Sequence, residues 1–140
     1  MATPLRDVIQ WKPEFSVQIP SIDNQHRSLV AIIGHLQMAM LEGRTKQVIE
    51  PLFKAMNQYT KFHFEYEEQL MAENGYADLA GHRREHARLV EQLEQLESKY
   101  VHGALQAGAP LMQFLRNWLF EHICAHDKEY SAYLREKGVT

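Results

Sequence analysis

The sequence has only one cysteine, Cys124, so it can form no internal disulfide, and a single thiol fits a reducing cytosol. It has no run of lysine or arginine, and its net charge is -3, from 15 Lys+Arg against 18 Asp+Glu. That balance leaves no electrostatic footprint for nucleic acid or for an anionic membrane surface. No stretch approaches the roughly 18 apolar residues of a membrane span. The opening MATPLRDVIQWKPEFS has no apolar segment of signal-peptide length. A cytoplasmic chain that neither enters a membrane nor binds nucleic acid is therefore expected. No window alternates apolar and polar residues over the length of a strand, and no internal repeat or low-complexity segment is present.

What remains is an ordinary globular composition, 45% hydrophobic and 24% charged over 140 residues. Residues 1–140 are read as one domain, long enough to bury a core without staples. Pro4, Pro13 and Pro20 keep residues 1–20 irregular, an N-terminal arm that could lay Trp11 and Phe15 over a bundle end. Residues 21–138 divide into four helices. Ser21 or Asp23 can cap the first, whose apolar stripe runs from Ile22 through Leu29, Val30, Ile33 and Met40 to a stop at Gly43. Thr45 can cap the second, which ends at Asn74-Gly75, with Pro51 displacing or kinking its first turn. The third starts near Asp78, carries Leu89, Leu93 and Leu96, and ends at His102-Gly103. The fourth begins at Ala109-Pro110 and stops at Gly138. Four such helices with short connections predict an all-α, up-down-up-down antiparallel four-helix bundle preceded by the irregular arm. A monomer is expected.

Histidine is abundant, with eight residues dispersed at 26, 35, 63, 82, 86, 102, 122 and 126. HRREH (82–86) keeps the ligand spacing of the zinc-protease motif H-E-x-x-H but has Arg83 where that motif has its general base. At about 100° per residue, His86 returns to within about 40° of His82, so both imidazoles can reach one ion. Within YTKFHFEYEEQLM, Glu67 lies within about 40° of His63, whereas Glu65 and Glu68 point about 160° and 140° away and read as surface charge. His26 shares the apolar face of the first helix, where a lone histidine is more often core than ligand. His35 lies about 180° from it and reads as solvated. On the fourth helix, HICAHD offers His122, His126 and Asp127. Angles alone pair His122 with His126 and turn Asp127 about 140° aside. Each motif is weak by itself. Together they place His, or His and Glu, on the inward faces of one bundle, where an uncompensated buried carboxylate is costly and a metal compensates it.

The segments IDNQH (22–26), HFEYEEQLM (63–71), HRREH (82–86) and HICAHD (122–127) resemble the hemerythrin family, specifically its single-domain bacterial members. They occur in family order, one per helix, and the similarity extends over essentially the whole chain. The resemblance implies metal ligands at His26, His63, Glu67, His82, His86, His122 and Asp127, thus preferring Asp127 to His126. Such a choice requires a local widening of the fourth helix, and widenings of this kind cluster at functional sites. It further implies two iron ions per chain, bridged by Glu67, Asp127 and an oxo or hydroxo group. His82, His86 and His122 would saturate one ion, and His26 and His63 would leave the other one position short.

That vacancy implies reversible dioxygen binding for storage, delivery to an oxygen-requiring enzyme, or sensing, rather than catalysis. No histidine here follows a Glu three residues earlier, unlike the E-x-x-H pairs of the carboxylate-rich di-iron proteins. The resemblance makes Leu29, Trp118, Leu119 and Ile123 the lining of the oxygen pocket, with Tyr59 and Tyr130 placed to support the ligands. A di-iron peroxidase or nitric-oxide-handling protein is the enzyme alternative, and iron storage a third class.

Overall fold

The structure, a computed structural model, describes residues 9–101 and 109–140, without the side chains at 101, 109–110, 119–120 and 124–126. A 3-10 turn at Pro13–Phe15 precedes α1 (Pro20–Leu41), α2 (Thr45–Glu73) and α3 (Leu79–Val101). The fourth rod has three consecutive parts: α4 (Ala109–Asn117), a π-helical segment (Trp118–Asp127) and α5 (Lys128–Glu136). Among the described residues there is no strand. The predicted ends of the first two helices hold, and both close in the same way. Gly43 and Gly75 take φ of +70° and +68°, values that cost glycine nothing. Beyond them Arg44 N–H reaches Ala39 O at 2.7 Å and Tyr76 N–H reaches Met71 O at 2.9 Å. These bonds satisfy carbonyls that the helix ends would otherwise leave open.

The helix starts differ from expectation. α1 begins with Pro20 in its first turn after Ile19, with no side-chain cap. Asp23 instead accepts from Val17 N–H at 2.9 Å and from Ser16 Oγ, tying the arm to the helix. Thr45 lies inside α2, which also starts without a side-chain cap and runs continuously through Pro51. The expected third-helix end at His102-Gly103 lies outside the described residues.

Two apolar clusters explain the antiparallel arrangement. One contains Leu29, Ile33, Phe53, Met56, Phe64, Leu89, Leu93, Leu115, Trp118 and Ile123. The other contains Val17, Ile19, Ile22, Met71, Tyr130 and Leu134. α1 starts in the second cluster at Ile22 and ends in the first, α2 runs from the first to Met71, and the fourth rod runs from Leu111 to Leu134. Between the clusters, each rod carries buried polar residues: His26 on α1, His63 and Glu67 on α2, His82 and His86 on α3, His122 and Asp127 on the fourth.

The arm does not rest on a bundle end. Its 3-10 turn packs against the π-helical segment, Phe15 joins the larger cluster, and Trp11 stands edge-on to Phe15 at 5.8 Å. Lys128 Nζ donates to Glu14 O at 2.7 Å, fastening the turn to the start of α5.

Candidate metal centre

A polar layer across an apolar bundle is expensive unless its groups have partners. Seven side chains form this one, and all are buried, from 0% exposure at His26, His63, Glu67 and Asp127 to 8% at His82. On α2 the layer follows from ordinary winding. His63 and Glu67 are four residues apart, and His63 Nε2 lies 3.2 Å from Glu67 Oε1. α3 places His82 and His86 on one face for the same reason, their rings edge-to-face at 4.6 Å.

The fourth rod reaches the same result by other means. In an α-helix Asp127 would turn about 140° from His122. Here residues Trp118–Asp127 are wound with i→i+5 hydrogen bonding, which returns a residue five positions on to the same face. His122 Nε2 therefore sits 3.2 Å from Asp127 Oδ1. This is the widening that a ligand at Asp127 requires. The side chain of His126, which simple angles favoured, lies outside the described ones.

Asp127 faces both halves of the layer. Its Oδ1 approaches His82 Nε2 at 3.4 Å and His122 Nε2 at 3.2 Å, while Oδ2 approaches His26 Nε2 at 3.1 Å. Glu67 likewise lies between the halves, with Oε1 3.2 Å from His63 Nε2 and 3.4 Å from His86 Nε2. The buried Tyr130 hydroxyl donates to Glu67 Oε2. The donor atoms divide into two overlapping sets: Glu67, His82, His86, His122 and Asp127, and then His26, His63, Glu67 and Asp127. Within each set the atoms lie within 4.8 Å of one another. The two carboxylates belong to both.

Several of these atoms are buried without a hydrogen-bond partner among the described residues: Glu67 Oε1, His82 Nε2, His86 Nε2 and both oxygens of Asp127. Buried polar atoms are rarely left so, and a cluster of lone pairs pointing at a common centre fits a cation. Two of the histidines agree in protonation state, whereas His82, which burial would lower, is held above its usual value by Asp127. Burial pulls His63 down to about 4 and His122 down to about 3, holding both imidazoles neutral, as metal ligands must be. Burial, reinforced by the charge of Asp127, pushes Glu67 up to about 7. Burial would raise Asp127 too, but His122, His26 and His82 around it hold it well below the usual carboxylate range. Two buried carboxylates this close repel each other, and positive charge between them removes the conflict.

Two further residues stand behind the buried histidines. His63 Nδ1 donates to Gln25 Oε1 and His86 Nδ1 donates to Glu68 Oε2, each at 2.7 Å. Both bonds fix the ring with Nε2 turned inward. Sequence reasoning missed both. Glu68 was assigned to the surface because it points away from His63 on its own helix, and the structure shows that this direction leads to α3, where His86 is. The signal is across helices, so no angle measured along one helix contains it. Phe64 stacks on His86 with ring centroids 3.8 Å apart and planes 1° from parallel.

Of the expected pocket residues, Leu29, Trp118 and Ile123 are buried in the larger cluster, and Trp118 stacks on His122 at 6.1 Å. The side chain of Leu119 lies outside the described ones. Tyr59 is partly buried against that cluster, its ring 5.7 Å from that of the exposed Phe62.

A family model described as the hemerythrin HHE cation binding domain matches residues 17–134, a span that includes all seven side chains. A protein named bacteriohemerythrin from Stenotrophomonas maltophilia is 30% identical over 124 residues, covering 89% of this chain and 80% of that one. Another of that name, from Methylococcus capsulatus, is 31% identical over 121 residues, covering 86% and 92%. The crystal structure of a wild-type hemerythrin matches with a TM-score of 0.81 at 30% identity, covering 91% of this chain and 98% of that one.

Proposed function

The chain belongs to the hemerythrin family, and from that premise we propose that it binds dioxygen reversibly at a pair of non-heme iron ions. His82, His86 and His122 would hold one ion, His26 and His63 the other, with Glu67 and Asp127 shared. The observation that carries this reading is the division of seven buried donors into two sets with both carboxylates in common. A structural zinc site closes around one ion with four ligands, whereas these sets offer five and four donors and overlap. When bound, the iron pair would supply the redox chemistry, and the side with fewer histidines would leave room for dioxygen.

The protein's own groups do the rest. Asp127 and Glu67, which belong to both donor sets, would be shared by the two ions. Tyr130 anchors Glu67 through its hydroxyl. Gln25 and Glu68 hold His63 and His86 in the tautomer that offers Nε2 to a metal. Leu29, Trp118 and Ile123 are buried in the larger apolar cluster, with Trp118 stacked on His122, and would serve to keep water from the metal pair. Among the described residues no helix is long and apolar enough to cross a membrane. The role we propose is storage or delivery of oxygen in the cytoplasm, by a monomer, with an oxygen-requiring enzyme as recipient.

The test is optical. The iron-loaded protein is reduced, exposed to air, and returned to vacuum. A visible band that appears in air and disappears under vacuum over repeated cycles is the expected result. Irreversible oxidation coupled to steady turnover of hydrogen peroxide would instead make it a di-iron peroxidase. Metal analysis giving one zinc per chain and no iron would sink both.

A further inference from the structure

The two imidazoles with described Nδ1 partners face acceptors of different charge. His63 donates to the neutral amide oxygen of Gln25, whereas His86 donates to the carboxylate of Glu68, and the two distances are equal at 2.7 Å. These histidines belong to opposite donor sets. A carboxylate behind an imidazole strengthens the ring as an electron donor through its far nitrogen more than an amide does. Glu68 is also held in place: Arg83 Nε lies 3.3 Å from its Oε1, leaving Oε2 for His86. Its side chain is 22% exposed, at a surface groove between α2 and α3 that Phe64 and His86 also line.

We propose that Glu68 is a positioning residue whose carboxylate fixes the His86 tautomer and makes the two metal positions electronically unequal. The position held by His82, His86 and His122 becomes the easier one to oxidise, and the position held by His26 and His63 the harder. The midpoint potential of the pair is then set in part by a residue that touches no metal. Arg83 opposes the effect by drawing charge from the same carboxylate. This inference rests on the iron-pair reading above, and part of its test does not need iron.

In the metal-free protein, nitrogen-15 NMR reads the tautomer of His86 directly. The parent and Glu68→Gln should both show Nδ1–H, and Glu68→Ala should show a mixture. In the iron-loaded protein, Glu68→Gln should keep two irons and an unchanged melting temperature while its midpoint potential rises. The reciprocal Gln25→Glu should lower it, and Arg83→Gln should lower it by less. Glu68→Ala should weaken iron binding by about 10–100-fold. A midpoint unchanged in Glu68→Gln, with both irons retained, overturns the proposal and leaves the iron-pair reading standing. So does a parent in which metal-free His86 carries its proton on Nε2. A parent that takes up no iron pair overturns the iron-pair reading, and this inference with it.

Discussion

α2 and the fourth rod each present one histidine and one carboxylate to the centre, and their nitrogen-to-oxygen distances are the same, 3.2 Å. The windings differ. On α2 the pair is four residues apart in a continuous α-helix, and on the fourth rod it is five apart in a π-helical segment of ten residues. An α-helix brings i+4 near the same face by ordinary winding, whereas i→i+5 winding is rare and occurs frequently at functional sites. Two different windings thus reach the same approach of imidazole nitrogen to carboxylate oxygen. The surroundings that hold the π segment are visible: the 3-10 turn packs against it and Lys128 ties its far end to Glu14.

The largest effect should come from testing which residue the π winding delivers. Asp127→Ala should abolish the iron pair, because both donor sets lose a member. His126→Ala should keep two irons and the same spectrum. The reverse pattern, measured by metal analysis, would show that ordinary angles govern the fourth rod as they do α2.

Next in size is the apolar side. With Leu119 lining the oxygen pocket, as the family resemblance implies, Leu119→Ala should retain both irons but autoxidise several-fold faster, since water gains access to the open position. Leu93→Ala, on α3 in the larger cluster, is the control, and costs about 2–5 kcal/mol through its cavity. Equal autoxidation in both variants at matched stability would reduce Leu119 to packing.

A smaller loss is expected where the two rods meet, at the hydroxyl of Tyr130 on Glu67. Tyr130→Phe should keep two irons and lose about 1–3 kcal/mol of stability by denaturant unfolding, the cost of stranding one partner of a buried hydrogen bond. No change in stability would mean that the bond contributes nothing net.

The smallest effect sharpens the comparison most. Deleting Ala125 puts the histidine and aspartate of the fourth rod four residues apart, as on α2. The segment can then wind as an α-helix with both flanks unchanged in register. Both irons should remain and the melting temperature should rise, by about 2–8 °C for each kcal/mol relieved. Loss of iron on this deletion would show that the π segment positions something beyond the pair.

This contrast also marks what was legible in the sequence. Helical periodicity and glycine stops yielded four helices and their ends at Gly43 and Gly75 because those signals are local. His63 with Glu67, and His82 with His86, were legible for the same reason. Asp127 was not, since angles counted along an α-helix turn it away from His122; only the family resemblance pointed to it. Glu68 and Gln25 were missed because their partners sit on neighbouring helices. The starts of α1 and α2 were misread because a capping residue type was taken for a cap, while Asp23 is engaged by the arm.

The central claim is that two carboxylates, delivered by two windings, are shared between two metal ions. Anomalous diffraction at the iron edge from crystals of the iron-loaded protein tests it most directly. Two iron peaks are expected, one against His82, His86 and His122 and the other against His26 and His63, with Glu67 and Asp127 each touching both. A single peak, or two peaks with Asp127 turned away from either, would contradict it.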